Sequence, residues 1–232
     1  MTKTTLVIIS SLMMCFQVQS QSKTDSLSVN FYSEFDKLPL EFHKKYVSAS
    51  NDTLMVETFK FYISNIQIEY DDNSLFAQKD SYHLLDFEYS NSFQFFITKK
   101  SEKIISKISF NIGIDSLTNT AGAMKSDLDP IKGMYWAWQS GYINTKIEGK
   151  SSSCSSRNNE FQFHIGGYRH PYYSVRKMQF YLNKKATAAI NIGIDVNAFL
   201  GSIKLNEQKN VMIPGAEAMK MANYTTKMFY IQ

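Results

Sequence analysis

The chain has 232 residues, 44% of them hydrophobic and 20% charged, with only 10 glycines and 4 prolines. That composition excludes collagen-like, low-complexity and wholly disordered chains, and the length is enough to bury a substantial core. The formal net charge of +4 is too small and too evenly spread to indicate a nucleic-acid partner.

Residues 1–20 read as a secretory signal peptide. Lys3 gives a positive start, Leu6 to Val18 an apolar stretch, and Val18-Gln19-Ser20 the small residues of a cleavage site after Ser20. The apolar run is too short for a membrane span, and no later run is long enough for one. Leu12-Met13-Met14-Cys15 has the outline of a lipoprotein signal, but Met14 is a poor small residue ahead of Cys15. Residues 21–232 are therefore expected as one periplasmic or secreted domain without a transmembrane helix. They keep a single cysteine, Cys154, which excludes an internal disulfide. It lies in a run of serines, 151–156, and reads as an exposed loop thiol rather than a metal ligand.

Period-two alternation then recurs along the chain. Val29, Phe31 and Phe35 share a face, as do Leu40, Phe42 and Tyr46 opposite Glu41, His43 and Lys45. Thr58 to Tyr70 reads as one long strand with room for a bulge, and Ser92 to Thr98 as a fully buried strand. Further strands are expected around Ile104–Ile114, Ile143–Ile147, Phe161–Ile165 and Met178–Leu182. Phe110-Asn111-Ile112-Gly113-Ile114-Asp115 is echoed by Ile190-Asn191-Ile192-Gly193-Ile194-Asp195, which predicts two equivalent strand ends. Helical signals are local: Asp195 as a cap on a turn through Phe199, and two turns over Ala216–Asn223. Ser116 to Lys132 reads as a long loop, of a length that is usually functional or mobile. The expected fold is all-β, an antiparallel two-sheet β-sandwich with short helical turns.

The motifs of nucleophilic hydrolases, P-loop and dinucleotide-binding proteins, zinc proteases and covalent haem sites are absent, so nothing supports an independent enzyme. The four histidines carry more. His43, beside Lys44 and Lys45, reads as exposed, and His83 as a histidine at the edge of the core. His164 lies opposite the apolar face of its strand, and His170 follows it across Gly166-Gly167. Two imidazoles flanking such a bend could converge on one metal, and with few carboxylates nearby that metal would be copper or zinc rather than calcium. Residues 133–149 hold both tryptophans, Trp136 and Trp138, with the parity of one strand face.

Four segments together resemble a known family. They are Phe61-Tyr62-Ile63-Ser64-Asn65-Ile66; Leu128-Asp129-Pro130 with Gly133-Met134-Tyr135-Trp136-Ala137-Trp138-Gln139-Ser140-Gly141-Tyr142; Lys146-Ile147-Glu148-Gly149; and Phe161-Gln162-Phe163-His164-Ile165-Gly166. In this order they resemble the methanobactin-associated, MbnP-like copper-binding proteins. The resemblance implies a secreted or periplasmic β-sandwich that binds copper, as Cu(I) or Cu(II), for acquisition or storage. It also implies a tryptophan oxidised to kynurenine by a dihaem peroxidase-like partner, holding the metal together with histidines. Carried onto this chain, the modified residue is Trp136 or Trp138 and the matching histidine is His164. Relatives have a further histidine close in sequence to the tryptophan, whereas residues 116–150 here contain none. The second imidazole would come from His170, His43 or His83. The alternative is a periplasmic or surface interaction module that keeps the sandwich and binds no metal.

Overall fold

The structure, a computed structural model, describes residues 25–99, 103–139, 141–182 and 189–232. The expected signal peptide and Cys15 lie outside them. The first half of the chain forms β1 (Asp25–Phe35), β2 (Leu38–Pro39), β3 (Tyr46–Val47), β4 (Thr53–Tyr70), β5 (Leu75–Ala77), β6 (Tyr82–Asp86), β7 (Gln94–Lys99) and β8 (Ile105–Ile112). After α1 (Ser116–Ala121) come β9 (Tyr135–Trp136), β10 (Gly141–Ser151), β11 (Glu160–Gly166), β12 (Tyr168–Arg169), β13 (Tyr172–Tyr173) and β14 (Arg176–Tyr181). The chain closes with β15 (Ala189–Asp195), α2 (Val196–Leu200), β16 (Asn210–Val211), α3 (Ala216–Thr225) and β17 (Phe229–Ile231).

Two curled sheets face each other across one core. The smaller has the order β17-β15-β1-β2, with β7 also paired to β1; the larger runs β14-β8-β4-β10-β11-β16. Alternate residues of β4 (Phe59, Phe61, Ile63) meet Phe31 and Val29 of β1, Ile192 of β15 and Phe163 of β11 in that core. Most ladders are antiparallel as expected, but β1 pairs β15 in parallel, and so does β11 with β16. The β1–β15 pair joins strands far apart in sequence, so no hairpin constrains their direction.

The echoed segments are indeed strand ends. Each terminal aspartate caps a short helix: Asp115 accepts from the Thr118 N–H at 2.9 Å, and Asp195 from the Asn197 N–H at 2.9 Å. They lie in different sheets, β8 and β15. Four expectations are corrected. Leu40–Tyr46 is not a strand; His43 has φ of 61°, and the Tyr46 hydroxyl accepts the Glu41 N–H at 2.8 Å, so a turn buries Leu40 and Tyr46 with the same spacing. The Ser92–Thr98 run begins as a 3-10 turn, and Phe96 is 60% exposed, because β7 is packed on one face only. Residues 116–132 are not an open loop: they hold α1 and two 3-10 turns. Cys154 is buried, 2% exposed, against the Leu205 carbonyl, and burial beside Asp52 pushes its thiol pKa up, which leaves an unreactive side chain.

A second, smaller apolar cluster covers the outer face of the large sheet. Tyr62, Leu84 and Ile143 from the strands meet Ile114, Leu128, Met134, Trp136 and Tyr142. The residues between β8 and β10 thus form a cap. Two tyrosines fasten it with their hydroxyls: Tyr62 donates to the Asp127 carbonyl at 2.9 Å and Tyr142 to the Leu128 carbonyl at 3.0 Å. Their rings meet edge to face at 5.9 Å.

A bulge in β10 divides the two clusters. Ile143 pairs with Gly166, but Thr145 with Ile165, so Asn144 is an extra residue. Ile143 then belongs to the cap and Ile147 to the core, although strand parity alone would put them on one face. Asn144 is buried; its side chain accepts the Ile114 N–H at 2.9 Å and donates to Ser174 Oγ at 2.8 Å. Gly113, with φ of +105°, lies directly beneath, where an added Cβ would come within 2.3 Å of Asn144 Cγ. Gly113→Ala should therefore destabilise the chain by roughly 2–4 kcal/mol in urea unfolding, through strain and displacement of Asn144. Gly133→Ala, at φ of +73° with no neighbour within 4 Å, should cost only about 1–2 kcal/mol.

Candidate metal and aromatic site

The site grows out of the polar face of three neighbouring strands. In β10, Lys146 and Glu148 point away from the core; the ladders put Lys146 between Lys60 of β4 and His164 of β11, and Glu148 between Thr58 and Gln162. His164 meets Glu148 on the diagonal. His164 Nε2 lies 2.6 Å from Glu148 Oε1, and Lys146 Nζ lies 3.7 Å from the same oxygen. Burial pushes the Glu148 carboxyl pKa up, but the hydrogen bond to His164, the Lys146 charge and the Thr58 hydroxyl outweigh it and hold the group at about 2. The carboxylate is thus ionised and can only accept, so Nε2 is the protonated nitrogen and Nδ1 remains for another partner. Among the described residues no other side chain hydrogen-bonds this imidazole.

The tryptophans sit at the end of the same strip. The β9–β10 hairpin pairs Trp136 with Gly141 and lays the indole over Gly166, two residues beyond His164 on the same face of β11. A Cβ at Gly166 would come within 2.5 Å of the Trp136 ring and 2.7 Å of the Tyr142 carbonyl, so the glycine is the slot for the indole. Trp136 is 7% exposed and His164 8%. Trp138 follows in the turn, 64% exposed, its ring centroid 6.0 Å from that of Trp136 at 51°.

His164 and the Trp136 indole thus lie on the same face of β11, the indole over Gly166 and the imidazole drawn the other way along the strand toward Glu148, opposite Gln162. His164 is off the apolar core, as its parity requires, but it is buried by the site rather than solvated. His170 is exposed on the β12–β13 turn, where it borders a small pocket of about 190 Å³ with Gln139 and Pro214. It is a neighbour of the tryptophan turn, not a partner of His164. His83 stacks on Phe95 at 4.0 Å, far along the sheet edge, and exposed His43 has Nδ1 3.9 Å from Glu57. Among the described residues, no three His, Cys, Asp or Glu side chains gather in a way that could hold a metal ion. The unmodified chain therefore offers one oriented imidazole here, and a bound ion needs donors of another kind. Glu148 and Gly166 were present in the motifs without a role. Parity puts Glu148 on the outer face, but only the β10–β11 register reveals that it reaches His164.

Residues 24–213 match the model of the MbnP family. The chain belongs to the MbnP family. The fold agrees: the chain is similar to a solved structure titled MbnP from Methylosinus trichosporium, with a TM-score of 0.57 and 13% identity over 84% of this chain and 82% of that one. No curated protein matches the sequence. The MbnP family is linked to methanobactin systems, and this member carries the Trp136–Trp138 pair and the Glu148–His164 pair on one strip of its larger sheet.

The Glu148 carboxyl pKa is lowered, so its contribution to stability is full above the usual carboxylate range and is lost as pH falls through about 2. Glu148→Gln should lower the unfolding free energy by at most about 3 kcal/mol near neutral pH, and the difference should vanish toward pH ~2. Urea unfolding of both chains across that range checks this; a gap that persists undiminished in acid would show that charge is not its source.

Proposed function

We propose that this MbnP-family chain is a periplasmic or secreted copper-binding protein, not an enzyme, serving copper acquisition or storage. The observation that supports this reading most is the carboxylate–imidazole pair: Glu148 fixes His164 through Nε2 on the same face of β11 that carries the Trp136 indole over Gly166. A histidine whose second nitrogen is held by a carboxylate is the usual form of a metal-binding imidazole, since the carboxylate sets the tautomer and raises basicity. Imidazole nitrogen suits copper. The further donor would come from oxidation of a tryptophan to kynurenine, whose opened ring exposes an aryl amine. Trp136 is the better placed of the two, because its ring lies on the strip that carries His164. A dihaem peroxidase-like partner would perform that oxidation. His170 is the available second imidazole, if the β12–β13 turn folds inward over the tryptophans.

The other reading, an interaction module without metal, is favoured by one observation. No three-ligand group exists among the described residues, while Trp138, Tyr172, Tyr173 and Ile213 present exposed apolar side chains.

Copper titration separates the two. Protein produced with its oxidising partner should take up Cu(I) stoichiometrically, and His164→Ala should abolish uptake without unfolding the chain. Glu148→Gln should weaken it by about 10–100-fold. His43→Ala, next to Lys44 and Lys45, should have no effect. Absence of uptake by the matured wild type, or undiminished uptake by His164→Ala, would favour the interaction module.

A further inference from the structure

The tryptophan turn opens onto an exposed apolar surface built from three neighbouring turns. Trp138 stands between β9 and β10, Tyr172 and Tyr173 on the β12–β13 hairpin, and Met212 and Ile213 in the segment that leaves β16; all five side chains are exposed. Contacts join the three turns. Gln139, Tyr172 and Pro214 line one pocket, and a Cβ at Gly167 would come within 3.3 Å of Pro214 and 2.6 Å of the Tyr172 carbonyl. Single exposed apolar side chains need no explanation, but several gathered in one place mark a contact surface.

The charges around this surface are of one sign. Residues 130–147, 161–194 and 208–216, which supply all three turns, contain no aspartate or glutamate. The acidic side chains of adjoining elements are engaged elsewhere: Asp115, ahead of α1, accepts from the Thr118 N–H and the Tyr82 hydroxyl, and Glu217 of α3 lies 3.9 Å from Lys220. Arg169 and His170 are both exposed at the end of the hairpin. The Arg169 guanidinium lies over the Tyr168 ring at 5.2 Å, and among the described residues no carboxylate pairs with it. Together with Gln139 the two side chains line the pocket of about 190 Å³.

That pocket is too small for a drug-sized ligand but takes a phosphate group, for which a guanidinium fork is the favoured donor. Around it, Trp138, Tyr172 and Tyr173 are the residue types that settle at the level of lipid headgroups, with an apolar body and a polar tip. Ile213 supplies a purely apolar knob beside them. An acidic protein surface would answer Arg169 but would leave Trp138 and Ile213 against solvated carboxylates. An anionic lipid surface answers both, because its phosphates lie directly above an apolar layer.

We propose that this end of the chain docks on an anionic lipid surface, with a headgroup phosphate against Arg169 and His170 and with Trp138, Tyr172 and Ile213 in the interfacial layer. The contact is peripheral and is made by turns alone. It does not rest on the copper reading, and its experiment is run without metal, so either can fail alone.

Vesicles of phosphatidylcholine alone, and of equal parts phosphatidylcholine and phosphatidylglycerol, are the probes. The mature chain should co-sediment with the second and not with the first, and salt should weaken the binding. Its tryptophan emission should shift to the blue on binding; Trp136 is already buried, so the shift reports Trp138. Ile213→Asp and Arg169→Glu, both at exposed positions and with urea midpoints expected to stay in place, should each weaken binding about tenfold. No binding to the anionic vesicles, equal binding to both vesicles, binding without the emission shift, or undiminished binding by both variants would overturn the proposal. Binding of polyglutamate or of inorganic phosphate without binding of vesicles would also overturn it, by showing a site for an acidic protein or a free anion.

Discussion

The extra residue in β10 is the constraint on which both faces of the larger sheet depend. A strand has only two faces, and here one strand must serve a core on one side and a cap on the other. Asn144 solves this by shifting the register once, so that Ile147 enters the core and Ile143 the cap. The shift holds because the Asn144 amide is engaged at both ends, its oxygen accepting from Ile114 and its nitrogen donating to Ser174. Gly113 must be without a side chain for the amide to lie there. Loss of any of these partners would leave a buried polar group unsatisfied, which costs more than the bond itself contributes.

The candidate site follows from the same arrangement. Once past the bulge, β10 presents Lys146 and Glu148 outward in an unbroken alternation, and β11 answers with His164 and Gly166. The β9–β10 hairpin then folds the Trp136 indole onto the glycine. Polar and aromatic parts thus follow one another along one face of β11: the carboxylate–imidazole pair on the sheet, then the indole over Gly166 at the rim of the cap. The cap itself is fastened by tyrosine hydroxyls to backbone carbonyls, so the position of Trp136 relies on Tyr62 and Tyr142 as well as on its own strand.

Much of this was legible in the sequence, and what was not has a physical reason. Alternation located β4, β8, β11 and β14, and put His164 on the outer face, because side-chain parity is a local property. The Asp195 cap was legible for the same reason, whereas the helix that Asp115 caps was hidden in a stretch that read as a loop. The burial of Cys154 was not, since it depends on the Leu205 segment, distant in the chain. Leu40–Tyr46 imitated a strand because a turn around a positive-φ histidine can bury the same two residues. The Ile143/Ile147 parity failed at a bulge that only the β11 register and the Asn144 contacts define. The Glu148–His164 contact is diagonal across two strands, so its existence awaited the pairing. The sequence placed His170 near His164, six residues apart, but the exposed β12–β13 turn carries its ring outward.

The two indoles have one further consequence. Held 6.0 Å apart at 51°, they are close enough for their excited states to mix, and a fixed skew between identical chromophores produces a pair of circular-dichroism bands of opposite sign. Chemical change in either ring breaks the match in transition energy and with it the couplet. The chain holds no other tryptophan, so no other indole pair contributes to that couplet. The intact protein therefore carries an intrinsic optical gauge of the state of this corner, readable without a label or a metal.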